Sequence, residues 1–192
     1  MKKNLFYIIG VSGGVLILLI VLSILAPWKR KETIVPAPTQ CPIASPSPAN
    51  AQITLTLYFA DEEALYLFPE KRTIKQPDKP TETLIIEQLI QGPKNPKLAR
   101  TIPPETRLLS INVKGETAFV NFSSELQTRH WGGTAGESMT IYSIVNSLTE
   151  LPYIKKVQFL LEGKVEPSIF GHYITSEPIP RNEERIYGHD SQ

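Results

Sequence analysis

The sequence predicts one small α+β domain, an α/β sandwich of element order β(β)αββαβ with helices on one face of a mainly antiparallel sheet, preceded by one transmembrane helix. Three observations predict it. The segment from Leu5 to Trp28 carries no charged residue, while prolines 36, 38, 42, 46 and 48 crowd the stretch that follows. From Ile53 onward, segments of alternating polarity are interrupted by two longer segments of helical spacing.

The apolar run comes first. A helix needs about 20 apolar residues to cross a bilayer core, and residues 5–28 supply them behind a short N-terminal end, residues 1–4. A cleavable signal peptide would have a shorter apolar region and small residues at its cut. Leu25-Ala26-Pro27-Trp28 offers no such site. Lys2 and Lys3 flank one end and Lys29, Arg30 and Lys31 the other, so charge asymmetry leaves the orientation open. Residues 29–50 form a basic, then Pro-rich linker, for which an extended, semi-rigid backbone is expected.

Charge separates the two parts. Residues 1–50 carry 5 basic and 1 acidic residue, 5 − 1 = +4, against 15 − 18 = −3 for residues 51–192. A mildly acidic domain with scattered charge has no electrostatic footprint for nucleic acid. Cys41 is the single cysteine and falls in the linker, so the fold must rest on its apolar core.

The domain is placed at residues 51–176. Ile53 to Phe59 alternates and is rich in β-formers, which predicts a strand. Ala64–Pro69 is a second, shorter apolar segment, and 71–76 is expected to be extended or loop. Asp78-Lys79-Pro80-Thr81 starts a helix whose buried stripe is Leu84, Ile85 and Leu89, with Ile86 and Ile90 beside it; Gly92-Pro93 stops it. Arg107–Lys114 and Thr117–Phe122 form a hairpin about Gly115, with Leu109, Ile111 and Val113 on one face. Thr134-Ala135-Gly136-Glu137 fits a capping box, and Ile141, Val145 and Leu148 follow at helical spacing. Lys155–Leu161 is the last strand. Residues 177–192 are polar and aperiodic and are expected to form a loose tail.

Candidate chemistry is sparse. His130, Ser138 and Glu137 suggest a hydrolase, but no G-x-S-x-G elbow is present, and the capping box accounts for Glu137. His130, His172 and His189 are too dispersed for a metal site, and no cofactor motif occurs. No catalytic, metal-binding or cofactor-binding residue is assigned. The best candidate for an interaction or ligand loop is His130, Trp131, Gly132, Gly133 and Thr134: an aromatic side chain in a glycine-rich turn that feeds a helix N-terminus, where backbone N–H groups favour anions.

An ordered set of motifs adds to this reading. Leu57-Tyr58-Phe59, Leu67-Phe68-Pro69-Glu70, Leu89-Ile90-Gln91-Gly92-Pro93, Val120-Asn121-Phe122-Ser123, Ile144 to Glu150 and Val157 to Gly163 together resemble the GerMN domain family of sporulation and germination proteins. The resemblance covers roughly Ile53 to Pro180. It implies a membrane-anchored or lipoprotein envelope protein with its domain outside the cytoplasm and Met1 inside. It also implies a ring-building-motif-like βαββαβ fold and a non-catalytic role in assembly, through an envelope protein or self-association. The sequence departs from the family in two ways: a lipobox is absent, and one domain stands where the family's sporulation member has two.

Overall fold

The computed structural model describes residues 52–75 and 78–188. The expected anchor at 5–28 and linker at 29–50 lie outside the described residues; among those described, no helix is long and apolar enough to cross a membrane. The elements are β1 (Gln52–Ala60), β2 (Leu67–Lys75), α1 (Thr81–Gln91), β3 (Leu108–Lys114), β4 (Thr117–Phe122), a short α2 (Glu125–Thr128), α3 (Thr134–Leu148), β5 (Lys156–Leu161) and β6 (Ile179–Pro180). The expected order β(β)αββαβ is present in an α+β fold, with the short α2 and the terminal β6 added, and the strands form two sheets.

The first sheet is the β1–β2 hairpin, with Gln52 opposite Lys75 and Ala60 opposite Leu67. The end of the second apolar segment and the stretch after it, expected as extended or loop, thus form one strand from Leu67 to Lys75. Side chains directly opposite share a face, so Leu55, Leu57 and Phe59 enter the core on the same side as Glu70 and Arg72. The other edge of β1 is closed by α3. Ser147 Oγ accepts the Tyr58 N–H at 3.0 Å, and Ser143 Oγ donates to Tyr58 O at 2.6 Å. These serines, four apart on one helix face, take the place of a neighbouring strand.

The second sheet has the order β3-β4-β5-β6. It is mixed: the other strand pairings among the described residues are antiparallel, as expected, but β4 and β5 run parallel, with Ala118 opposite Val157 and Val120 opposite Phe159. The reason lies in the connection, because a chain that returns through a long helix re-enters the sheet in its original direction. A register shift between Leu108 and Ser110 corrects the β3 face. The bulge sends Leu108 inward opposite Phe122 and leaves Leu109 43% exposed.

The core joins both sheets. Leu57, Phe59, Ile86, Leu89, Val120, Phe122, Ile141, Val145 and Phe159 belong to one buried cluster. From Glu137 to Leu148, every residue of α3 except Tyr142 is buried. A helix buried all round normally lacks polar residues; here Thr140, Ser143, Asn146 and Ser147 are buried because each bonds a neighbouring segment.

The segment expected as a loose tail is tied down. Ile179 pairs with Val157, and Asn182 exchanges bonds with the Asn146 side chain in both directions. The Arg181 guanidinium reaches Glu150 at 2.9 Å, Asn146 O at 2.8 Å and the Tyr58 hydroxyl at 3.0 Å. Tyr187 N–H then donates to Leu67 O at 3.0 Å.

Candidate functional site

Of the five residues expected to form a site, His130 to Gly133 lie between α2 and α3 and Thr134 opens α3. The loop is built on three rings. His130 stacks on Trp131 with centroids 5.0 Å apart, and the Phe170 ring lies 4.4 Å from His130, tilted by 39°. The imidazole is fixed by bonds at both nitrogens. Gly132 N–H donates to Nδ1 at 3.0 Å, so the ring proton sits on Nε2, which faces Thr140 Oγ1 at 2.9 Å. Thr140 in turn donates to Thr101 O at 2.6 Å. Burial pushes the His130 pKa below the usual histidine range, against the pull of Glu137 and the Gly136 backbone, so the ring is held neutral. Trp131 remains 52% exposed.

Gly132 and Gly133, at φ 78° and 83°, turn the chain into α3. The expected capping box does not form. Gly133 occupies the N-cap without a side-chain bond, and Thr134 is already helical. Glu137, only 2% exposed, turns instead to the loop before β6. Its carboxylate accepts the His172 backbone N–H at 3.1 Å and His172 Nδ1–H at 2.7 Å. The hydrolase grouping is therefore not assembled. The acid binds His172, the His130 nitrogens are occupied by Gly132 and Thr140, and the Ser138 hydroxyl has no partner among the described residues. Among the described residues, no three His, Cys, Asp or Glu side chains converge in a way that could hold a metal.

The motif residues are engaged elsewhere. Glu70 and Arg72, on the core face of β2, pair at 2.6 Å. Arg72 donates to Gln88 O at 3.1 Å and Gly92 O at 2.6 Å, while Arg100 donates to Ile90 O at 2.5 Å and Gln91 O at 2.9 Å. Two arginines thereby satisfy carbonyls at the C-terminal end of α1 that would otherwise lack donors. Burial alone would raise the Glu70 pKa, but the Asn95 amide, Arg72 and the Lys94 amide more than offset it and hold the carboxyl below its usual range. Gly92, at φ 86°, leaves room for this: a Cβ there would meet the Arg100 guanidinium carbon at 2.6 Å. Asn121 accepts from Gly163, and Ser123 from Arg107. Sequence reading missed Arg72 as a core residue. The available signal was Glu70-x-Arg72, opposite charges that alternation places on one strand face.

A family model described as "Sporulation and spore germination" matches residues 56–166. The chain belongs to this Germane family. No curated protein matches it. Among solved structures, the tandem GerMN domains of the sporulation protein GerM from Bacillus subtilis are 25% identical with a TM-score of 0.59, covering 71% of this chain and 48% of that one. The chain thus spans about half of that tandem structure. The first GerMN domain alone is 21% identical with a TM-score of 0.53, covering 67% of this chain and 98% of that one, a likeness of fold. A candidate lipoprotein from Clostridium perfringens is 30% identical with a TM-score of 0.49, covering 68% of this chain and 88% of that one. The motif residues on which the sequence resemblance rests make bonds that hold the fold: Gly92 at the α1 terminus, Asn146 and Ser147 to the C-terminal segment and β1, and Asn121 at the turn after β5.

Proposed function

We propose that this Germane domain is a non-catalytic interaction module of the bacterial cell envelope, held at the cytoplasmic membrane by residues 5–28 with Met1 inside and the domain outside. Its work is protein–protein assembly of the sporulation or germination kind, through another envelope protein or self-association, in the ring-like manner its family resemblance suggests. The observation that carries this reading is that the polar motif residues spend their hydrogen bonds on holding the fold. The surface keeps aromatic and strand-edge features suited to a partner. Light scattering on the full-length chain in detergent, across a wide concentration range, tests it together with affinity capture from host membranes. A defined oligomer or one stoichiometric partner is expected. A strictly monomeric chain that retains nothing would overturn it.

A second reading is favoured by the Trp131 ring. An exposed indole backed by His130 and Phe170 is a rigid platform for a cell-wall glycan or another small ligand. Titration with soluble cell-wall fragments, followed by tryptophan fluorescence, is then expected to saturate and to vanish in Trp131→Ala. Binding unchanged in that variant would remove the loop as the site.

A further inference from the structure

The described sheet edges are treated differently. At Tyr58–Ala60, β1 is closed by Ser143, Ser147 and the Ala99 amide. The outer edge of β2 meets the C-terminal strap at Leu67, loses a donor at Pro69, and then presents exposed Lys71 and Lys75. β6 is two residues long and ends in Pro180. These are the devices by which proteins prevent strand-to-strand association: cover, proline, lysine and shortness.

β3 is less protected: it keeps only Lys114 at its turn end and the bulge at Leu108/Ser110. It is seven residues long, contains no proline and ends its sheet. Its hairpin turn has two residues, which makes Lys114–Thr117 a hydrogen-bonded pair. Alternation then directs Ser110 and Asn112 toward β4 and turns the N–H and C=O of Ile111 and Val113 outward. Those groups have no partner among the described residues. Their side chains are half-buried, and Leu109 is exposed beside them.

From this contrast we infer that the β3 edge pairs antiparallel with the β3 edge of a second copy of this chain, about a twofold axis at Asn112. The inference rests on the interaction-module reading and names the partner and the surface. In this register, Ile111 of one copy pairs with Val113 of the other, so the outward N–H and C=O groups are satisfied reciprocally and apolar side chains adjoin. Charge agrees with the register. Lys114 faces Ser110, and Arg107, whose side chain is 69% exposed, lies across from the Glu116–Thr117 end of the other copy. No like charges oppose each other. Such an isologous contact closes on itself and yields a dimer, not a fibre.

The register makes a sharp test. Asn112 meets its own symmetry mate as a non-hydrogen-bonded pair, at a Cα separation of about 4.5 Å that a disulfide can bridge. Ser110 instead faces Lys114, and its own mate is roughly 13 Å away along the strand, too far to bridge. In the full-length chain carrying Cys41→Ser, in detergent micelles under mild oxidation, N112C is expected to give about tenfold more covalent dimer than S110C. Mixing S110C with K114C chains is expected to restore the cross-link, and adding L109K to N112C to suppress it. The inference is overturned if N112C and S110C cross-link equally, or if neither does. Light scattering separates this failure from that of the wider reading. A wild-type mass that rises with concentration and is unaffected by L109K would remove the β3 edge and keep self-association, whereas a constant monomer mass would remove the β3 edge and self-association and leave the wider reading to capture of an envelope partner.

Discussion

The two long helices end against the rest of the domain in opposite ways. The C-terminal end of α1 is held by two guanidinium groups, one fully buried, and by a glycine whose missing Cβ makes their approach possible. The N-terminal end of α3 is held by a stack of rings and a buried glutamate whose histidine partner is 58% exposed. The first is anchored by a buried guanidinium, whereas at the second the glutamate pairs with a histidine open to water and the Ser138 hydroxyl has no partner among the described residues. A charge-assisted bond in a low-dielectric interior is worth more and is harder to replace than one that solvent can substitute. The α1 end is therefore a fixed joint of the fold. The α3 end, with an exposed indole on its outer surface, is where change can be tolerated and recognition can be added.

The largest effect is expected at the fixed joint. Arg72→Ala strands the Glu70 carboxylate and the α1 carbonyls, and should cost about 3–5 kcal/mol in urea unfolding. Pairing Arg72→Met with Glu70→Gln should recover much of that loss, because no buried charge is then left alone. Gly92→Ala should follow, at roughly 1–3 kcal/mol, through an unfavourable positive φ. Part of that cost should disappear in an Arg100→Ala background, since Arg100 is what the new Cβ would meet. A G92A effect indifferent to Arg100 would show that backbone strain alone is responsible.

At the softer end, Glu137→Ala is expected to cost about 1–3 kcal/mol by leaving the His172 backbone N–H without its acceptor. His172→Ala should cost under about 1 kcal/mol, because its ring is largely solvated. Equal effects would mean that the side-chain pair matters more than the backbone bond. His130 adds a pH dependence. Its folded pKa lies below the unfolded value near 6.5, so its contribution is present above that value and is lost as pH falls through the folded pKa. Stability measured from pH 7.5 to 5 should therefore decline in the wild type, and decline less in His130→Gln. The smallest stability effect belongs to Trp131→Ala, within about 0.5–1 kcal/mol, since half of the indole is already in water.

Much of the fold was legible in patterning. Helix α1 was marked by Leu84, Ile85 and Leu89 and stopped by Gly92, and the β3–β4 hairpin turns at Gly115 as expected. The loop from His130 to Thr134 was singled out for its glycines and indole. Its geometry was not legible, because Phe170 and Thr140 reach it from elsewhere in the chain. The reading of Thr134 and Glu137 as a capping box failed for a similar reason: a local bond lost to one with His172, 35 residues away.

What the sequence determined by itself was the order and kind of the main elements, the switch from an apolar run at 5–28 to a folded domain, and the motif set that resembles the family. These depend on local propensity and periodicity, which each segment carries alone. What only the tertiary structure decided was the division into two sheets, the parallel entry of β5, the strap formed by Arg181 and Asn182, and the burial of Arg72. Each depends on pairing between residues distant in the chain, where desolvation and hydrogen-bond satisfaction are settled only once both partners are in place.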